Sequence, residues 1–237
     1  LQFYSRVLTT GESPLWREDL MNNVGVPIIG LGEQSSEYAD LPLQWMPHIQ
    51  VADVAASADR ALALGGRELM HQRDDGGQSQ WAVLLDPNGA AFGIIPVVAP
   101  QAIKSVPDGA SPDTVGRISW LDLTVPEASV TRDFYRDVVG WSVQDVEMED
   151  AGEQYADYAL CTPDGTAVAS VCHARGVNQA IPPVWLICLP VGDLGESLGR
   201  VQEGGGEVVE ARRGSTGEYA YAVIRDPVGA CLALMPG

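Results

Sequence analysis

The sequence predicts an α+β protein built from four strand–helix–strand–strand–strand modules in two tandem domains. Three observations predict it. The first is an internal repeat at an offset of 140 residues: Trp45 recurs as Trp185, Asp53 as Asp193, and Gly65-Gly66 as Gly205-Gly206. Asp86-Pro87 with Gly89-Ala90 likewise recurs as Asp226-Pro227 with Gly229-Ala230. Repetition at a fixed period means one structural unit used more than once. The second is patterning within each copy, where runs alternating at period two are interrupted by single amphipathic segments of helical length. The third is size, since 237 residues suit two domains that can each bury a core.

Taken in order, residues 1–8 read as a helix, followed by strands near 20–22 and 25–32. A second module comes next, with a strand over 45–51, a helix over 54–64 and strands over 67–72, 80–85 and 91–96. Asp86-Pro87-Asn88-Gly89 is the turn before its last strand. The stretch after that strand is rich in Pro, Gly, Ser and Asp and reads as a linker. The expected domains are therefore 1–97 and 117–237, with 98–116 between them.

The second copy opens with the alternating run Ile118 to Val125, and Pro126-Glu127 suits the first turn of a helix. Phe134, Val138 and Val139 share its buried face, Gly140 ends it, and strands are expected near 141–147, 154–161 and 165–172. Beyond Ile181-Pro182-Pro183, Val184 to Val191 starts the fourth module. Asp193 caps a helix that stops at Gly204-Gly205-Gly206, ahead of strands near 207–212, 219–225 and 230–235.

The first copy is shorter. Phe3-Tyr4 matches Phe134-Tyr135 at an offset of 131, so the first copy lacks nine residues between about Thr10 and Leu20. The run at Ile118 has no counterpart ahead of Leu1. The expectation is that the sequence starts inside a longer protein whose upstream strand could carry a ligand.

Apolar residues make up 46% and charged residues 19%, the composition of a globular chain. A formal net charge of −18 excludes nucleic acid and an anionic membrane surface as partners, because the electrostatic term repels both. No run of 18 apolar residues occurs, so no membrane span is expected, and no signal peptide is visible. The four cysteines, Cys161, Cys172, Cys188 and Cys231, form no C-x-x-C pair, and the first copy has none. A reducing, cytoplasmic location is expected. Neither Gly30-Leu31-Gly32 nor the glycine run at 204–206 has the spacing of a dinucleotide or P-loop fingerprint.

Asp-Pro-x-Gly before each copy's final strand, Gly-Gly after each second helix, and Trp120-Leu121-Asp122-Leu123-Thr124-Val125-Pro126 opening the second copy together resemble the vicinal oxygen chelate superfamily. That superfamily holds glyoxalases, bleomycin-resistance proteins and extradiol dioxygenases, and its tandem two-domain bacterial members are the nearest in pattern. The resemblance implies that each domain curls a mixed sheet into a cup. It also implies metal ligands on the first strand of each module and a Glu on the last strand. Carried across, the first-strand positions are Met46, Trp120 and Leu186, and the last-strand positions are Gly93 and Ala233. Trp, Leu, Ala and Gly offer a divalent ion no donor. No cofactor is therefore expected.

Residues two apart share a strand face. Trp120 thus shares one with Asp122, Leu186 with Cys188, Ala233 with Cys231, and Met46 with His48 and Gln50. Two readings of Asp122, Cys188 and Cys231 stay open: a converging carboxylate–thiol site, or two small core thiols with a structural acceptor. His48 is either a base or ligand-binding group in a polar pocket, or a satisfied buried histidine. His71 and His173 read as peripheral. The repeated aromatics Trp45/Trp185 and Trp81/Tyr221 read as core packing or as a stacking surface for a planar ligand.

Two functions are consistent with these residues. One is a metal-independent protein that binds a small apolar or aromatic molecule through Met46, His48, Gln50, Trp120, Asp122, Leu186, Cys188 and Cys231. The other is a metal-dependent lyase, isomerase or ring-cleaving dioxygenase. The expected partner is a small organic molecule, and the expected state is a monomer or homodimer.

Overall fold

A computed structural model describes residues 2–8, 29–31, 35–99 and 118–237. The strand expected near 20–22, most of that near 25–32, and most of the expected linker lie outside the described residues.

The chain is α+β. A first helix, α1 (Gln2–Leu8), precedes three complete modules. One comprises β1 (His48–Val51), α2 (Val54–Ala63), β2 (Arg67–Arg73), β3 (Ser79–Leu85) and β4 (Ala91–Pro96). The next comprises β5 (Trp120–Val125), α3 (Ala128–Val139), β6 (Ser142–Asp150), β7 (Glu153–Cys161) and β8 (Ala167–His173). The last comprises β9 (Trp185–Val191), α4 (Leu194–Glu203), β10 (Glu207–Arg213), β11 (Tyr219–Arg225) and β12 (Cys231–Pro236).

In every module the first strand pairs parallel with the last, and the others join antiparallel: β1-β4-β3-β2, β5-β8-β7-β6 and β9-β12-β11-β10. Short hairpins join the antiparallel strands, whereas the parallel pair needs the long crossover that carries the helix.

Two expected boundaries move. The strand predicted from residue 45 begins at His48, because Pro47 has no N–H to give the ladder. Its carbonyl still accepts the Gly93 N–H at 2.9 Å. Trp45 and Met46 therefore precede β1. The helix predicted at Pro126-Glu127 begins at Ala128, after a Glu127 whose side chain makes no capping bond. Asp53 and Asp193 do cap as expected, accepting the N–H of Ala56 at 3.0 Å and of Glu196 at 2.8 Å.

The compact units cut across the two sequence copies. One unit combines β1, α2 and β2–β4 with most of β5, α3 and β6–β8, and extends to Trp185. The other combines α1 with β9 from Leu186, α4 and β10–β12. Within the first, α2 and α3 pack together over a shared core containing Ile49, Val51, Ala58, Leu84, Phe92, Leu123, Phe134, Tyr135 and Leu160. Phe92, Phe134 and Tyr135 meet edge to face at centroid distances of 5.1 to 6.1 Å, a preferred aromatic geometry.

The Asp-Pro-x-Gly motifs have a use beyond the turn. Asp86 Oδ1 accepts the N–H groups of Asn88 at 2.8 Å and Ala90 at 2.9 Å, and Oδ2 accepts the Tyr135 hydroxyl at 3.2 Å. Trp185 Nε1 donates to the same Tyr135 oxygen at 2.8 Å. In the other unit Asp226 Oδ1 accepts from Val228 at 3.0 Å and Ala230 at 2.8 Å, and Oδ2 accepts from Tyr4 at 2.8 Å. The repeated tyrosine thus pins α3 to the turn before β4 in one unit and α1 to the turn before β12 in the other. The Gly-Gly repeats are equally local: a Cβ on Gly66 would lie 2.8 Å from the carbonyl oxygens of Ala61 and Leu85.

Candidate functional site

Each sheet has one face under its helix and one turned away. In β1 the buried Ile49 and Val51 join the core, which puts His48 and Gln50 on the opposite, exposed face. His48 lies beside Gly93 in register, and a Cβ on Gly93 would meet the His48 ring at 2.5 Å from Cδ2 and 2.8 Å from Nε2. The imidazole fills the space that any other residue at 93 would claim. Its Nδ1 donates to the Met46 carbonyl at 3.2 Å. Gln50 is taken up structurally, its Oε1 accepting the Val98 N–H at 2.8 Å. His48 is thus not a buried core histidine; it lies exposed across a glycine.

The equivalent slot in β5 and β8 holds Asp122 opposite Ser170. Leu123 and Val125 enter the core, so Asp122 and Thr124 share the other face with Ser170 and Cys172. The Ser170 hydroxyl donates to Asp122 Oδ1, and the Cys172 thiol approaches the same oxygen at 3.8 Å. Burial pushes the Cys172 thiol far above its ordinary range, and the Asp122 and Asp157 charges push it further. It stays protonated and serves as a donor, not a nucleophile. Asp122 thus meets a thiol, but it is Cys172, and the converging set of Asp122 with Cys188 and Cys231 does not form within one unit.

Asp157, on β7, is 3% exposed. Its Oδ1 accepts the His173 backbone N–H at 2.8 Å and faces His173 Nδ1 at 3.0 Å. Its Oδ2 is buried and has no hydrogen-bond partner among the described residues. An uncompensated buried carboxylate oxygen is costly and calls for an explanation.

Cys188 and Cys231 belong to the other unit, not to that of Asp122. The β9 strand is buried throughout, so Leu186 and Cys188 are covered, and Cys188 lies beside Ala233 in register. The Ser119 hydroxyl reaches the Cys188 carbonyl at 3.1 Å. Cys231 lies opposite Arg225, and burial raises its thiol while the guanidinium partly offsets that rise. All four cysteines are free thiols. Among the described residues no three His, Cys, Asp or Glu side chains are grouped so as to hold a metal ion. Trp120, half-buried, begins β5 on the same side as Asp122.

The repeated aromatics separate by role. Trp45 and Trp185 are buried, and Trp185 is bonded to Tyr135. Tyr221 is covered by the Arg212 guanidinium, 5.2 Å from its centroid. His71 is held by Glu68 and Ser79 at 2.8 Å each. Ser170, Cys172 and Asp157 are absent from the candidates that the sequence singles out. Period-two alternation along β8 puts the first two on one face, but only the β5–β8 pairing brings them to Asp122.

Residues 117–234 match the family model of the Glyoxalase/Bleomycin resistance protein/Dioxygenase superfamily, and residues 1–95 match a glyoxalase-like domain. The anthracycline biosynthesis protein DnrV of Streptomyces peucetius is 28% identical over 191 residues, 80% of this chain and 64% of its own length. CFP32 of Mycobacterium tuberculosis, named a glyoxylase, is 30% identical over 122 residues, 50% of this chain and 45% of that protein. The chain thus spans less than two thirds of either relative. Among solved structures, homoprotocatechuate 2,3-dioxygenase from Arthrobacter globiformis superposes with a TM-score of 0.53 at 14% identity, covering 100% of this chain and 74% of the enzyme. A variant of homoprotocatechuate 2,3-dioxygenase from Brevibacterium fuscum gives 0.52 at 14% identity, over 100% of this chain and 67% of that one. These likenesses carry the fold. With two glyoxalase-type domains in tandem, the chain belongs to the glyoxalase/bleomycin resistance protein/dioxygenase superfamily, the vicinal oxygen chelate fold.

Proposed function

We propose that this chain binds a small, apolar or aromatic organic molecule on the open face of β5, β8 and β7, without a resident metal ion. The observation that carries the reading is the Asp122–Ser170–Cys172 group, half-buried on a face turned away from the helix. A few convergent polar groups on a largely apolar surface fix the orientation of a small ligand.

The metal implied by the fold does not fit the residues present. Leu186 and Ala233 are buried apolar side chains, and the space above Gly93 is filled by the His48 ring. No step of the proposed function therefore runs through an ion. A relative named for anthracycline biosynthesis makes planar polycyclic compounds a reasonable first panel. The four free thiols are consistent with a reducing compartment.

The test is thermal denaturation of chelator-treated protein against a panel of planar aromatic compounds, with Asp122→Ala as the comparison. Binding at a hundredfold excess over Kd stabilises by about 2.7 kcal/mol. A shift of that order in the wild type, reduced in the variant, supports the reading. A shift that appears only after a divalent metal is restored points to a metal-dependent lyase, isomerase or dioxygenase.

A further inference from the structure

Asp157 belongs to the sheet face that carries Asp122. Ala159 lies opposite Ser170 in register, while Tyr158 and Leu160 enter the core. Alternation then turns Asp157 toward the side of Ser170 and Cys172. On its other flank Asp157 lies opposite Val146 of β6, and Tyr155 lies opposite Met148. Directly opposed residues share a face, so all four side chains join it. The Cys172 thiol is within electrostatic reach of both carboxylates: after burial, the Asp122 charge and then the Asp157 charge raise it. Burial first and the Asp157 charge second hold the Tyr155 hydroxyl above its ordinary range as well.

Two features of this group point to a ligand. The first is charge. Asp157 is buried, and its Oδ2 has no hydrogen-bond partner among the described residues. Its Oδ1 accepts the His173 backbone N–H at 2.8 Å and faces His173 Nδ1 at 3.0 Å, so the histidine addresses one oxygen. The Arg175 guanidinium, 4.3 Å over the Tyr155 ring, pairs instead with Asp150 and Glu153. A nearby positive charge stabilises a buried carboxylate, and a low local dielectric strengthens that attraction even without direct contact. The second feature is apolar surface beside the acid. Val146 is 42% exposed and in register with Asp157. A lone exposed valine is ordinary, but one set against an incompletely bonded buried acid suits a molecule that is both apolar and cationic. Two carboxylates around a protonated thiol offer too few donors for a divalent ion.

We propose that this face selects an organic cation: a planar hydrocarbon packs on Val146 and Met148, and its ammonium group lies over Cys172, between Asp122 and Asp157. Asp122 is bonded to Ser170 and Asp157 to His173, so both acids are fixed before the ligand arrives and little reorganisation opposes binding. The formal net charge of −18 draws the same class of molecule from solution. The inference rests on the binding reading and narrows its ligand class.

The test uses probes that share a naphthalene ring substituted at one position: naphthylmethylamine, cationic at neutral pH, the neutral naphthylmethanol and the anionic naphthoate. Isothermal titration calorimetry on the chelator-treated protein gives their dissociation constants. The amine should bind at least about tenfold tighter than the alcohol, the discrimination that charge-assisted contacts supply, and the naphthoate most weakly. Asp122→Asn and Asp157→Asn each bring the amine toward the alcohol, while binding of the alcohol persists and shows that the variant is folded. Should Asp157→Asn lose the alcohol too, Asp122→Asn decides alone. Asp59→Asn removes one charge from an exposed position on α2 and leaves the preference unchanged. Equal affinity for amine and alcohol in the wild type overturns the cation preference alone. So does a preference that survives the substitutions at Asp122 and Asp157, or one that Asp59→Asn reduces as much. If no probe binds, the site and the preference fail together.

Discussion

The imidazole of His48 lies directly across Gly93, where a Cβ would approach Cδ2 to 2.5 Å. The same slot, first strand against last, recurs as Asp122 opposite Ser170 and as Cys188 opposite Ala233. The bulkiest first-strand side chain meets the smallest neighbour, imidazole against no side chain, while the other two slots hold carboxylate against hydroxymethyl and thiol against methyl.

This complementarity predicts coupling. Gly93→Ala alone forces His48 to swing away, and because that ring is exposed the cost is modest, about 1 kcal/mol. His48→Cys with Gly93→Ala recreates the slot of the second copy. Urea denaturation of both single variants and the double variant should show the pair less destabilised than the sum of the singles. Strict additivity would show that the two positions do not share the space.

Tyr135→Phe removes one hydroxyl, strands the buried Trp185 Nε1 and leaves Asp86 Oδ2 with only the Asn88 side-chain amide at 3.4 Å. An unsatisfied buried group costs about 1–3 kcal/mol, so a loss of several degrees in melting temperature is expected. The cost depends on pH. Burial raises the Asp86 carboxyl above its ordinary value, and the Tyr135 bond opposes that rise. A raised acid binds more protons folded than unfolded, so its contribution to stability grows as pH falls through the raised value toward 3.8. The hydroxyl stabilises the ionised form, and the penalty in Tyr135→Phe should therefore be larger at pH 7 than near pH 4. A penalty independent of pH would place the loss elsewhere.

Cys172 should resist alkylation. Its thiol is held protonated chiefly by burial and then by Asp122 and Asp157. Iodoacetamide at pH 8 should label it far more slowly than free cysteine. Asp122→Asn should speed the reaction only modestly, because the largest cause remains. Peptide mapping by mass spectrometry reads both. Rapid labelling in the wild type would contradict the assigned environment.

Much of the architecture was legible in the sequence because repetition and period-two alternation are local signals. They located β3, β4, β11 and β12 almost to the residue. What they could not reveal is which module packs on which. Asp86 and Tyr135 lie 49 residues apart and in different sequence copies, and their hydrogen bond depends on the way α2 and α3 pack. The site was half legible for the same reason. Asp122 stood out as the polar residue in an apolar strand, but its partners Ser170 and Cys172 lie 48 and 50 residues away on β8. His173 looked peripheral because nothing in the sequence pairs it with Asp157.

The most direct measurement is the melting temperature of the chelator-treated protein with and without a saturating planar aromatic compound, in the wild type and in Asp122→Ala. A clear upward shift in the metal-free wild type that shrinks in the variant is the predicted result. No shift until zinc, iron, nickel or manganese is added back, with equal response in both proteins, would contradict it.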